Sequence, residues 1–210
     1  TPEERALAPH HLIDVADPGE AFDAARFAEL ADRAIRDIRA RGKRVLVAGG
    51  SGLYLRALLH GLVAAPPPDP GLRAELQAEW LRRGPAALHA RLAELDPAAA
   101  RRLHQNDRQR VLRALEVCLQ TGRPLSQAQA AHGFAPTRHA HVLFGLTRPR
   151  GELNRRIEAR CRRMWRQGLV AEVRTLLAGG LAPAARGLGS LGYRHALAVI
   201  RGELGEDAAL

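Results

Sequence analysis

Apolar positions along the chain follow two rhythms. Between residues 22 and 41 they recur at Phe27, Leu30, Ala31, Ala34, Ile35 and Ile38, the three-and-four spacing that lines one face of a helix. Gly42 follows, where a helix C-cap belongs. Arg44-Val45-Leu46-Val47-Ala48 is then a short continuous apolar run, rich in β-branched residues, as expected of a strand buried in a parallel sheet. It leads directly into Gly49-Gly50-Ser51-Gly52 and a helical stretch over residues 53–62. His11-Leu12-Ile13-Asp14-Val15 and Val142-Leu143-Phe144-Gly145-Leu146 also read as strands, the first ending in the turn at Asp17-Pro18-Gly19. Pro66-Pro67-Pro68-Asp69-Pro70 interrupts this pattern. Beyond it only helical spacing is found, over 72–83, 85–94, 97–104, 106–121 and 124–132, and again after the third strand over 149–166, 168–179 and 190–202.

Helix, strand, glycine-rich turn and helix in succession predict an α/β fold. The expected architecture is a parallel-sheet core formed by residues 1–65 and 137–210, interrupted by an all-helical insertion over 66–136. Proline-bearing joints at 66–70 and 133–136 are expected to let that insertion move as a body.

Composition narrows the function. The chain has 210 residues, 46% of them apolar, a formal net charge of +10 and two cysteines. That apolar share supports a folded core. No run approaches a membrane span, and no signal peptide opens the chain, so a cytoplasmic setting is expected. Cys118 and Cys161 form neither a CxxC pair nor a disulfide framework. Of the 32 cationic residues only Lys43 is a lysine; GC-rich coding accounts for part of that bias, but the excess positive charge still favours polyanionic partners. The chain contains no GxxxxGK[ST] loop. It starts at Thr1 and its single methionine is Met164, so it reads as a piece of a longer protein.

Four segments carry candidate chemistry. Gly49, Gly50 and Ser51 turn from strand to helix, where backbone N–H groups can meet a phosphate or a base; a tight structural turn is the alternative. In the run Asn106-Asp107-Arg108-Gln109-Arg110-Val111-Leu112-Arg113, Asn106 or Asp107 can cap a helix. Arg110 and Arg113 share a face, and the Gln109 amide suits an adenine edge; a solvated charged face is the alternative. Residues 148–166 hold eight arginines with Glu152 and Glu158, which suits either a phosphate-backbone surface or pairing within the helix. Gly189, Ser190, Leu191, Gly192, Tyr193 and Arg194 form a turn ahead of a helix, facing a ligand or packed as a loop. His10, His11, His139 and His141 lack carboxylate or cysteine partners at metal-ligand spacing, and eight aromatic residues are too few for a stacking platform.

Taken in order, these blocks resemble the tRNA dimethylallyltransferases. The matching pieces are His10-His11-Leu12-Ile13-Asp14 with Asp17-Pro18 and Phe27, and Val47-Ala48-Gly49-Gly50-Ser51-Gly52-Leu53-Tyr54. Further on come Asn106-Asp107-Arg108-Gln109-Arg110 with Arg113-Ala114-Leu115-Glu116-Val117, and Thr121-Gly122 with Pro124-Leu125-Ser126. Arg156-Ile157-Glu158, Arg160, Met164, Gly168-Leu169-Val170 with Glu172-Val173, and Gly192-Tyr193-Arg194 complete the match.

The resemblance implies transfer of a dimethylallyl group from dimethylallyl diphosphate to N6 of the adenosine immediately 3′ of the tRNA anticodon, with Mg2+ as cofactor. It implies a core of the P-loop, nucleotide-binding and ATP-binding class, with the helical insertion clasping the anticodon stem-loop of tRNA, in a monomer. It assigns tRNA contact to Gly49, Gly50, Ser51, Gln109, Arg110, Val111, Leu112, Arg113, Gly189, Ser190, Leu191, Gly192, Tyr193 and Arg194. The family's phosphate loop, with its threonine, and its general-base aspartate correspond to positions upstream of residue 1, so residues 1–210 carry no catalytic or metal residue by this assignment and are expected to be inactive alone. A basic C-terminal helix is likewise outside them. Gly189 stands where the family often has Gln or Arg, and Ser51 where it commonly has Thr. A P-loop-like small-metabolite kinase and a non-catalytic RNA-binding module are the alternatives.

Overall fold

The computed structural model describes residues 2–134 and 137–209, with the side chains of Pro2 and Glu4 also left aside. Its helices are α1 (Pro2–Leu7), α2 (Ala24–Ala40), α3 (Gly52–His60), α4 (Pro70–Leu95), α5 (Pro97–Arg102), α6 (Arg108–Thr121), α7 (Leu125–His132), α8 (Arg150–Arg166), α9 (Leu169–Ala178), α10 (Tyr193–Ile200) and α11 (Glu206–Ala209), with a 3-10 turn at Arg186–Gly189 before α10. The chain divides into two compact units, residues 1–49 with 141–210, and residues 50–140.

The expected parallel sheet is not there: no strand occurs among the described residues. A strand exists only when a neighbour takes up its N–H and C=O groups, and the three candidate segments have no such neighbour. Leu12 and Asp14 adopt positive φ of 61° and 57°, outside the extended region. The other two runs take no regular structure and are open to solvent, with Leu46 at 91%, Phe144 at 82% and Leu146 at 99% exposure. An apolar, β-branched run shows what a segment could bury, not whether anything pairs with it.

In the unit of residues 50–140, the prolines and aspartates set the helix starts. Asp69 caps α4, accepting from the N–H groups of Gly71 and Leu72 at 2.8 and 3.1 Å, ahead of Pro70 at the first helical position. Within α4, Gly84 at φ 79° and ψ 170° precedes Pro85 and breaks the helix into two segments. Leu76, Leu88 and Leu92 of α4, Ala99 and Ala100 of α5, and Val111, Leu112, Ala114 and Leu115 of α6 form the core. Asp96 is fully buried, capping α5 through the Ala99 N–H at 2.9 Å and accepting from the N–H and hydroxyl of Ser126 at 2.8 and 2.6 Å. Burial pushes its carboxyl up, but those hydrogen bonds outweigh it and hold Asp96 below the ordinary carboxylate value. At the far end Arg138 returns to α3, its N–H donating to the Leu59 carbonyl at 2.7 Å. The Pro66–Asp69 side of the first joint is bound to α6, as described below. Ala135 and Pro136 of the second joint lie outside the described residues.

In the other unit, Leu169, Val170 and Val173 of α9, Leu188 of the 3-10 turn, and Ala196 and Leu197 of α10 form a second core, with Met164 and Trp165 of α8 packed against it. Helix α2 ends as its sequence indicated: Gly42 takes φ 67°, its N–H donates to Arg39, and the Lys43 N–H reaches back to Ile38.

Candidate nucleic-acid interface

Helix α6 starts at Asp107, whose carboxylate accepts from the Arg110 N–H at 3.2 Å and lies 3.4 Å from the Arg110 guanidinium. Gln109 is exposed, and the Arg110 side chain is 74% exposed. Val111 and Leu112, one step further, are buried in the core. Their side chains anchor the helix, and the polar part of the segment is presented by Gln109, Arg110 and Arg113.

Arg113 is fixed in place. Its guanidinium donates to Glu116 at 2.8 Å and to the Pro66 carbonyl at 2.7 Å. Glu116 is completely buried and also accepts from the Arg73 guanidinium at 2.7 Å and the Asp69 N–H at 3.0 Å. The Gln120 amide adds a bond to the Pro67 carbonyl at 3.3 Å. The proline-rich segment is thus tied to α6 through its oxygens, and one carboxylate orients two guanidinium groups. Sequence reasoning did not single out Glu116 or Arg73. The available signal was an acid between Leu115 and Val117 on an otherwise apolar face, one turn from Arg113.

The glycine turn is open. Gly49, Gly50 and Ser51 are exposed, and a methyl group added at either glycine would meet nothing within 4 Å. Ser51 sits at the N-cap of α3, yet its hydroxyl makes no capping bond. Crowding therefore does not account for the two glycines.

Segment 189–194 is held from behind. The Ser190 hydroxyl donates to the Gly187 carbonyl at 2.7 Å, and Gly192 turns the chain at φ 89°. Leu191 and Arg194 are exposed. The Tyr193 hydroxyl donates to Glu172 of α9 at 2.5 Å; that bond, helped by burial, pushes the phenol up to about 12, so it stays protonated at neutral pH. The Gly187 N–H donates to the Pro18 carbonyl at 3.1 Å, and a Cβ on Gly187 would come within 2.8 Å of that oxygen. Only glycine fits this approach, a constraint the sequence alone did not mark.

Segment 109–113 belongs to one unit and segment 189–194 to the other. Asp107 caps α6, and Asp14 pairs with Arg5 at 2.7 Å. No group of three or more His, Cys, Asp or Glu residues able to hold a metal ion occurs among the described residues.

The IPP transferase family matches residues 1–210. The chain is 54% identical, over its whole length and 70% of the relative's, to a tRNA dimethylallyltransferase of Anaeromyxobacter dehalogenans strain 2CP-C. It is 50% identical to that of Geobacter metallireducens, over 99% of this chain and 67% of the relative. Among solved structures it is similar to a tRNA delta(2)-isopentenylpyrophosphate transferase of Staphylococcus epidermidis, with TM-score 0.61 and 32% identity over 100% of this chain and 68% of that one. A eukaryotic dimethylallyltransferase acting on tRNA aligns with TM-score 0.69 and 25% identity, over 99% of this chain and 53% of its own. With every residue matched by one family, and half or more of them identical in relatives that bear its activity in their names, the chain belongs to the IPP transferase family.

Proposed function

We propose that the chain acts as a tRNA dimethylallyltransferase, moving a dimethylallyl group from dimethylallyl diphosphate to N6 of the adenosine immediately 3′ of the anticodon. The observation that carries this reading is the family match over residues 1–210, with relatives of that name at 54% and 50% identity. In the reaction the bond from the allylic carbon to the diphosphate oxygen breaks, a carbon–nitrogen bond forms at N6, and the N6 proton passes to a base. Mg2+ would supply charge neutralisation at the leaving diphosphate.

The tasks of these residues are binding and orientation. Gln109 and Arg110 stand on the exposed first turn of α6, where an amide and a guanidinium can read base edges. Arg113, fixed by Glu116, offers the rest of its guanidinium to a phosphate. Gly49, Gly50 and Ser51 leave open space for a close backbone approach. Segment 189–194 presents Leu191 and Arg194 over a turn secured by Tyr193 and Glu172. Val111 and Leu112 support these contacts from inside the core. The helical region 66–136 clasps the anticodon stem-loop, and the protein works as a monomer in the cytoplasm.

The direct test is nucleoside analysis of tRNA incubated with dimethylallyl diphosphate and the enzyme that contains these residues, which should yield N6-dimethylallyladenosine. In parallel, the chain should bind an anticodon stem-loop with adenosine 3′ of the anticodon more tightly than one with guanosine there. Equal affinity for the two, or binding of a phosphorylated small molecule instead of RNA, would sink the reading.

A further inference from the structure

Helix α8 carries half of the net charge of the molecule. Its 17 residues hold seven arginines and two glutamates, a formal +5 against +10 for the whole chain. Codon bias alone does not produce this, because other long helices match their arginines with acids. Helix α2 has four arginines and three carboxylates, and α4 four and three; Arg33 pairs with Glu29 in α2, and both Arg83 and Arg91 pair with Glu79 in α4 at 2.7 Å. On α8 the acids are spent early. Glu152 takes Arg148 and Arg156, and Glu158 takes Arg162. Arg150, Arg155, Arg160, Arg163 and Arg166 have no carboxylate partner among the described residues.

Three of these five, Arg155, Arg163 and Arg166, lie on one side, together with Arg162. At 3.6 residues per turn, positions 155, 162, 163 and 166 fall within an arc of roughly 100°, running about 16 Å along the axis. Met164 lies opposite this arc and, with Trp165 at its flank, packs against the core of α9 and α10, so the arginine arc faces away from that core. All four arginines are exposed.

We infer that this face of α8 is a docking surface for a phosphodiester backbone, and specifically for tRNA outside the adenosine-binding segments. The inference rests on tRNA being the substrate. A planar guanidinium offers paired donors that match phosphate oxygens, and a row of them without acids fixes position along a backbone without reading sequence.

The test is tRNA binding by the full chain as a function of salt. Arg155→Gln, Arg163→Gln and Arg166→Gln together remove the charge while keeping an unbranched polar side chain and helix preference. The triple variant should lower the salt slope by about three and weaken binding several-fold at moderate salt. Arg33→Gln, Arg36→Gln and Arg39→Gln on α2 remove the same formal charge and should leave the slope nearly unchanged. If both triples lower it equally, net charge alone is responsible and the surface is refuted. A wild type that binds tRNA while the α8 triple keeps its slope sinks this inference alone; a wild type that does not bind tRNA sinks the substrate reading with it. Tighter binding to phosphatidylserine vesicles than to tRNA, lost in the α8 triple, would assign the face to a membrane and overturn the proposal. Should the triple fail to fold, Arg155→Gln alone should lower the slope by about one.

Discussion

Helices α6 and α8 are both rich in arginine, and they hold it in opposite ways. In α6 the guanidinium of Arg113 closes a network with buried Glu116, Arg73, the Asp69 N–H and the Pro66 carbonyl. On α8, Arg155, Arg163 and Arg166 stand in water without a carboxylate partner among the described residues. A paired arginine inside a network contributes to stability and is costly to disturb. An unpaired surface arginine contributes almost nothing to stability and is free to contribute to binding. Sequence counts such as net charge cannot distinguish the two, because each adds one positive charge.

The sharpest way to break this contrast is Glu116→Ala. It removes the centre of the network and leaves two half-buried guanidinium groups without their acid, so denaturant unfolding should show a loss of about 3–5 kcal/mol. A loss below about 1 kcal/mol would mean that the network is ornamental. Arg113→Ala should cost less, about 1–3 kcal/mol, because Arg73 and the Asp69 N–H still serve Glu116. Acid titration probes another buried carboxylate of the same unit. The folded-state value of Asp96 is lowered, so its stabilising share is complete above the unfolded carboxylate range and is lost as pH falls through the folded value. Asp96→Asn should therefore flatten the fall in stability on the acid side, and an unchanged acid limb would contradict the assignment. Smallest of all, the α8 triple variant should shift stability by no more than about 0.5 kcal/mol while changing the salt dependence of RNA binding. A large loss of stability there would erase the difference between the helices.

Helices were legible in the sequence because their evidence is local. The six apolar positions of residues 22–41 define α2, and the gap between 83 and 85 marks the break that Gly84 and Pro85 make in α4. The sheet was misread because a strand is a relation between segments: Val45 and Phe144 have the right character, but nothing pairs with their runs. The turn at Leu12 and Asp14 is set by backbone angles that hydropathy does not record. In the candidate site, Gln109 and Arg110 were recognisable and emerge exposed. Val111 and Leu112 entered through motif resemblance, although their helical spacing already marked them as core. Glu116, Arg73 and the contact of Gly187 with Pro18 span distant parts of the chain, so no single window displays them.

The proline run has a consequence for watching the molecule move. Of the five residues 66–70, four are prolines and carry no amide hydrogen. Asp69 alone has one, and it is bonded to buried Glu116. Hydrogen–deuterium exchange at that single amide is therefore a built-in reporter of whether the segment stays docked on α6. Slow exchange means the segment is held; fast exchange at Asp69, with the α6 amides still protected, would be the signature of its release.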